Sequence, residues 1–177
     1  MSIKGRQSLL FIIVTTALAS CVSMIGGVGI ELVEADLFVI VPLVIALPAL
    51  NTMVGDYATI IAAHAGNPKE GVVSRKKLIL SVFKSTIVNV VGTVGLSLFL
   101  AEKRGYESDY GFIATFTVFV AVSVVAIVSA MFVITYTLDK ILEKKKLNPD
   151  DVLIPVVTTI TDVFMLGLIA LAAKFLF

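Results

Sequence analysis

The stretch "VLIPVVTTITDVFMLGLIALAAKFLF", residues 152–177, decides the fold of this chain. Its only charged side chains are Asp162, near the middle, and Lys174, near the end. A helix needs about 20 apolar residues to cross the hydrocarbon core of a bilayer, so this run predicts a membrane-spanning helix. A carboxylate inside such a helix is costly and usually has a function. Asp162 is therefore the first candidate for a functional residue.

The composition indicates that this run is one of several. The chain has 177 residues, 58% of them hydrophobic, and a mean hydropathy of +1.04. These values are typical of a protein with several membrane spans. Long apolar runs predict helices rather than strands, because every backbone group in a bilayer must be hydrogen-bonded within the protein. We expect an all-α membrane protein, one domain over residues 1–177, with five transmembrane helices at about 8–30, 37–65, 78–101, 112–138 and 152–177.

Charged residues between these helices predict the orientation of the chain. Short cytoplasmic loops of membrane proteins are enriched in Lys and Arg. With five spans, most basic residues fall on one side, namely Lys4, Arg6, Lys69, Arg75, Lys76, Lys77, Lys140, Lys144, Lys145 and Lys146. We therefore expect the N-terminus in the cytoplasm and the C-terminus outside, with residues 139–151 as a charged, solvated connector. The 14 basic and 13 acidic residues nearly cancel, so the net charge says nothing about nucleic acid. From the membrane class we expect membrane lipid as a partner and no nucleic acid.

Two of the predicted helices carry polar residues at helical spacing. The last helix has an oxygen-rich face at positions i, i+3, i+4 and i+7, formed by Pro155, Thr158, Thr159 and Asp162. The second has residues four apart, Asn51, Gly55 and Thr59, with Asp56 beside them. Glycine in such a stripe allows close approach of another backbone. These two stripes are the candidate functional surfaces.

The predicted helix ends place both aspartates at a similar depth. Asp56 precedes Ala65 by nine residues, or roughly 13 Å of helix, and Asp162 follows Val152 by ten, or roughly 15 Å. By the same reasoning Asn89 lies near that layer. Carboxylate, hydroxyl, amide and carbonyl oxygens are hard ligands that suit Mg²⁺, Ca²⁺ or Mn²⁺, and a site with few protein ligands suits Mg²⁺, which keeps several waters.

We take the metal-site candidates to be Asp162, Asp56, Thr158, Asn51 and Thr59. The alternative interpretation of each aspartate is a side chain that joins helices or lies at the interface, and that of the threonines is helix packing.

Both stripes resemble one known family. "PALNTMVGDYATIIA" at 48–62 is similar to the Pro-x-x-x-x-x-x-Gly-Asn stretch in the second membrane helix of the MgtE family and its animal solute-carrier relatives. "LNPDDVLIPVVTTITDV" at 147–163 resembles the family's Asp-Pro-x-x-x-x-x-Pro-x-x-Thr-x-x-x-Asp stretch, which leads into its last helix. The chain departs from the first pattern at Asp56, where the family has asparagine, and at Ala58, where it has a second glycine.

The resemblance implies a Mg²⁺ channel or transporter of the cell membrane rather than an enzyme. In the family two five-helix units pack as a dimer around a central pore, which implies a homodimer here, or a heterodimer with a similar chain, with Mg²⁺ as the transported ion and no cofactor. The aspartate of the last helix faces a hydrated ion, a position that matches Asp162, with Thr158 one turn earlier. The second helix also lines the pore, which maps onto Asn51, Gly55, Asp56 and Thr59. Bacterial members carry cytosolic sensor domains before the first helix, and none is expected here.

Two other functions would also account for some of these features. An intramembrane aspartyl protease needs two aspartates that share a proton. "MVGD" at 53–56 partly resembles the glycine-x-glycine-aspartate signature of that class, but Met53 stands in place of the first glycine. A non-transporting membrane subunit would leave both polar stripes without a purpose. Metal-dependent flux separates transport from both alternatives.

Overall fold

The computed structural model describes residues 3–66, 74–144 and 150–177, and within them it contains helices and no strands. Its helices in chain order are α1 Ile3–Glu31, α2 Glu34–Val39, α3 Val41–Gly66, α4 Arg75–Lys103, α5 Tyr110–Lys144 and α6 Asp150–Phe175. The all-α prediction is therefore confirmed, and α1, α3, α4, α5 and α6 correspond to the five predicted helices.

Four of these helices are long and apolar enough to cross a membrane. The candidate spans among the described residues are Val41–Ala65, Arg75–Lys103, Tyr110–Leu142 and Val152–Phe175. In α1 the apolar stretch among these residues is shorter, Ile13–Ile25. The length and composition of the helices thus support four crossings directly, and a fifth through α1 stays a prediction.

The second predicted helix, 37–65, begins later than expected. Residues 37–39 belong to the separate helix α2, and Ile40 has the non-helical dihedrals φ −98° and ψ 72°. The reason is Pro42, which has no N–H to donate to the carbonyl of Phe38 and whose ring would clash with that carbonyl in a continuous helix. At the second position of α3, however, Pro42 is tolerated, because the first N–H groups of a helix have no partner within it.

The charged connector predicted at 139–151 is wrong for its first part, because α5 continues to Lys144, and for its end, because α6 begins at Asp150. Residues 145–149 lie outside the described residues. The extension of α5 has a packing cause: Leu142 is buried in a small cluster with Ala62, Ala65 and Leu153. Lysine and glutamate are also good helix formers, so a run of charged residues does not by itself indicate a loop.

The central helix is α3, which packs against α4, α5 and α6, while α6 also packs against α1. One side of α3 is buried in the core, including Leu43, Leu50, Val54 and Ile61. The opposite side carries residues three or four apart that are all exposed, namely Pro48, Thr52, Asp56, Thr59 and Ala63. We call this surface the outer face of α3. The packing of α3 thus decides which of its polar residues are accessible.

Candidate functional site

Asp56 lies on the outer face of α3, inside a helix long enough to cross a membrane. Its side chain lines a shallow groove of about 440 Å³ between α3 and α4. The residues around this α3–α4 groove are Pro48, Ala49, Thr52, Met53, Asp56, Asn89 and Thr93. The structure therefore places Asp56 beside oxygen-bearing side chains from two helices rather than one.

Asn89 is the residue of α4 that joins this groove to the core. Its side-chain amide donates a hydrogen bond of 2.7 Å to the hydroxyl of Tyr57, which is buried. The same amide nitrogen lies 3.5 Å from the hydroxyl of Ser85, one turn earlier on α4. The hydrogen bond to Tyr57 ties α4 to α3 at the residue next to Asp56.

The two other predicted site residues of α3, Thr59 and Asn51, differ in their exposure. Thr59 is exposed on the outer face, and its hydroxyl donates to the carbonyl of Gly55 at 3.0 Å, which leaves the hydroxyl oxygen able to accept or to ligate. Asn51 is half-buried, and its amide oxygen is buried with no hydrogen-bond partner among the described residues. Five residues separate Asn51 from Asp56, about 140° around the helix, so they belong to different faces.

On α6 the structure places Asp162 and Thr158 one turn apart, and both are half-buried. The Thr158 hydroxyl donates to the carbonyls of Ile154 at 2.8 Å and Pro155 at 3.1 Å, and the Thr159 hydroxyl donates to Pro155 at 2.7 Å. Within the described residues Asp162 has no hydrogen bond or ion pair. Of the predicted oxygen-rich face of α6, the carboxylate of Asp162 and the hydroxyl of Thr158 are thus half-buried and able to accept, whereas Thr159 is buried.

The packing supports a common layer for the two carboxylates. Ala65, near the end of α3, and Leu153, near the start of α6, belong to one buried cluster. Asp56 precedes Ala65 by nine residues and Asp162 follows Leu153 by nine, about 13 Å of helix in each case. No hydrogen bond joins the two carboxylates in the described part of the chain. That part also contains no group of three or more His, Cys, Asp or Glu residues placed to hold a metal ion.

Within one chain, then, the predicted site residues lie on two surfaces. Asp56 and Thr59 lie on the outer face of α3, and Thr158 and Asp162 lie on α6, while the amide oxygen of Asn51 is buried. Sequence reasoning placed Asn89 at the right depth but did not include it in the site, and it missed Thr52 and Thr93. The available signal for Thr52 was its position one turn before Asp56.

Comparison with known proteins identifies the chain at the level of its family. The family model MgtE, described as a divalent cation transporter, matches residues 47–172, more than two thirds of the chain, and confirms the resemblance found in the sequence. The matched range contains every candidate site residue on α3, α4 and α6. Neither the comparison with curated proteins nor that with solved structures gives a match.

Proposed function

The chain belongs to the MgtE family of divalent cation transporters, and on that premise we propose that it moves Mg²⁺ across the membrane along a path lined by α3 and α6. The family and the four long apolar helices make it a multi-pass membrane protein. The observation that carries the proposal is the position of Asp56 and Asp162, two carboxylates inside membrane-spanning helices and at the same depth from a shared packing cluster.

The chemistry of these residues favours a hydrated dication. One chain offers separated single carboxylates with neighbouring hydroxyls, so it can supply only part of a coordination shell. Mg²⁺ gives up its waters reluctantly and is commonly held by one or two carboxylates. In the proposed path Asp162 is the central ion residue and Thr158 contacts the waters of the ion, while Asp56 and Thr59 on the outer face of α3 adjust the affinity.

The outer face of α3 supports a dimer of two such chains around the path. A charged carboxylate at the centre of a spanning helix costs roughly 2.5–3.5 kcal/mol on insertion scales. Asp56 is exposed within one chain, so either water or a second copy must cover it. Two copies related by a twofold axis along the membrane normal would face their polar surfaces toward a common pore. Native mass measurement in mild detergent should then show two chains, whereas a conducting monomer would refute the dimer.

The proposed topology follows from the basic residues of the sequence. Each chain contributes one unit of five transmembrane helices, with α1 as the first crossing and the N-terminus in the cytoplasm. Labelling of single cysteines introduced at Lys144 and at Glu107, both exposed and outside the candidate spans, in a Cys21→Ser background, tests this orientation. A membrane-impermeant reagent added outside intact cells should react at position 107 and not at position 144.

Ion flux into liposomes that contain only this protein tests the function. We expect Mg²⁺ uptake above that of empty liposomes, and an imposed Na⁺ or proton gradient shows whether the uptake is coupled. Flux of Mn²⁺ or Ca²⁺ without Mg²⁺ would refute Mg²⁺ as the ion while agreeing with the family. Absence of any divalent flux from folded protein would favour a non-transporting subunit, and cleavage of a membrane peptide blocked by aspartyl-protease inhibitors would favour a protease.

A further inference from the structure

We propose that the α3–α4 groove is a binding site for a hydrated divalent cation, separate from Asp162, in which Asn89 of α4 and Asp56 of α3 contact the ion. The inference deepens the proposed transport function and rests on it for its physiological meaning. Its structural basis is the groove itself, where Asp56, Asn89, Thr52 and Thr93 lie around about 440 Å³ of accessible space.

One branch of the Asn89 side-chain amide is hydrogen-bonded, and the other is not. An asparagine side chain has two donor hydrogens on its nitrogen and an acceptor oxygen on the other branch of the amide. The nitrogen is held by Tyr57 at 2.7 Å and lies near Ser85 at 3.5 Å. The oxygen makes no hydrogen bond to another described residue, although the side chain lines the groove. Tyr57 therefore holds the nitrogen branch of the amide and leaves the oxygen of the other branch able to ligate.

Four oxygen-bearing side chains that could ligate a metal ion line the groove. Asp56 supplies a carboxylate and Asn89 an amide oxygen, and the hydroxyls of Thr52 and Thr93 make no hydrogen bond to other described residues. All four are hard oxygen ligands of the kind that bind Mg²⁺, Ca²⁺ and Mn²⁺. The groove is open, so an ion can keep several of its waters there, as Mg²⁺ prefers.

The groove lies in helices long enough to span a membrane, where polar groups that face lipid without a partner are costly. Asp56, Thr52 and Asn89 are all exposed there. Exposed hydroxyls elsewhere, such as those of Ser129 and Thr117, donate to their own helix at 2.7 Å each. A water-filled groove that holds an ion would give the Asp56 carboxylate, the Thr52 hydroxyl and the Asn89 amide oxygen partners of their own.

The test measures Mn²⁺ binding by electron paramagnetic resonance to purified protein in detergent, with Asp162→Asn as the background so that the α6 carboxylate cannot contribute. We expect this background to bind Mn²⁺, and Mg²⁺ to compete. Adding Asn89→Leu should weaken Mn²⁺ binding by about tenfold, a common cost of losing a group around a bound metal. Asn89→Asp keeps an oxygen and adds charge, so it should bind Mn²⁺ at least as tightly as the background.

Two further variants separate ion contact from helix packing. Ser129→Ala also removes a polar group from an exposed position but lies outside the groove, and it should leave Mn²⁺ affinity unchanged. Asp56→Asn and Asn89→Leu together should weaken binding by less than the product of their separate effects, because both residues contact one ion.

The proposal is overturned if the Asp162→Asn background binds no Mn²⁺, or if Asn89→Leu folds and binds as the background does. Should Asn89→Leu fail to fold, Asn89→Asp decides: Mn²⁺ affinity below that of the background would make Asn89 only a tie between helices. Binding to detergent-solubilised protein is read independently of flux. If liposomes that contain the wild-type protein take up no Mg²⁺, transport is refuted, and the Mn²⁺ binding measurement still decides whether the groove site exists.

Discussion

The two candidate carboxylates have different surroundings, although each lies nine residues from a member of one shared buried cluster. Asp56 is exposed on the outer face of α3 and shares a groove with Asn89, which is held by the buried Tyr57. Asp162 is half-buried on α6, without a hydrogen bond in the described residues, and the half-buried Thr158 lies one turn before it. Similar residues in similar helices can therefore have different roles, because packing decides what surrounds each one.

The largest expected effect is that of Asp162→Asn, which keeps the shape of the side chain and removes its charge. We expect Mg²⁺ uptake to fall to the level of empty liposomes, since Asp162 is the carboxylate that holds the ion in the proposed path. Size-exclusion profile and thermal stability should match the wild type. Normal uptake by a well-folded variant would remove Asp162 from the ion path.

A smaller effect is expected for Asp56→Asn, which introduces the residue that the family pattern has at this position. A neutral oxygen remains in the groove beside Asn89, so uptake should continue, with KM for Mg²⁺ raised by about tenfold, or 1.4 kcal/mol. The informative measurement is the Mg²⁺ dependence of uptake for both aspartate variants in one assay. Complete loss of uptake would make Asp56 an obligatory ligand, and an unchanged KM would make it a packing residue.

A modest effect is expected for Thr158→Val on the same helix as Asp162. The substitution removes the half-buried hydroxyl oxygen one turn before the carboxylate, so KM should rise a few fold through lost contact with the waters of the ion. Thr161→Val is the matched control, because the Thr161 hydroxyl is buried and donates to the carbonyls of Val157 and Thr158. Equal changes in KM for the two variants would contradict a direct role of Thr158.

The smallest effect is expected for Gly55→Ala, a substitution beside Asp56 that tests whether a second chain covers α3. A Cβ added at Gly55 meets nothing within 4 Å in this chain, and the same holds at Gly95 on α4. Alanine in either helix should raise stability by up to about 1 kcal/mol if no partner is near. We expect the rise in stability for Gly95→Ala only. Gly55→Ala should instead show a lower fraction of dimer in native mass spectra. Identical behaviour of the two variants would place Gly55 outside the dimer interface.

Much of the fold was predictable from the sequence, because the bilayer demands long apolar helices and the chain shows them as uninterrupted runs. The boundary errors came from two local effects. Pro42 broke the start of the second predicted helix, and the packing of Leu142 extended α5 into residues that looked like a loop. Spacing along a helix identifies neighbours on one face, but it does not say which face is buried.

The sequence by itself determined the membrane class, the all-α fold and the family, and it singled out the two aspartates, since these depend on hydropathy, helical spacing and short motifs. Only the tertiary structure decided that Asn51 turns its amide oxygen into the protein, that Asp56 opens onto a groove with α4, and that Asn89 is held there by Tyr57. The physical reason is that accessibility and hydrogen bonding between helices depend on how α3 is rotated against α4, α5 and α6. That rotation follows from side-chain packing among residues far apart in the chain.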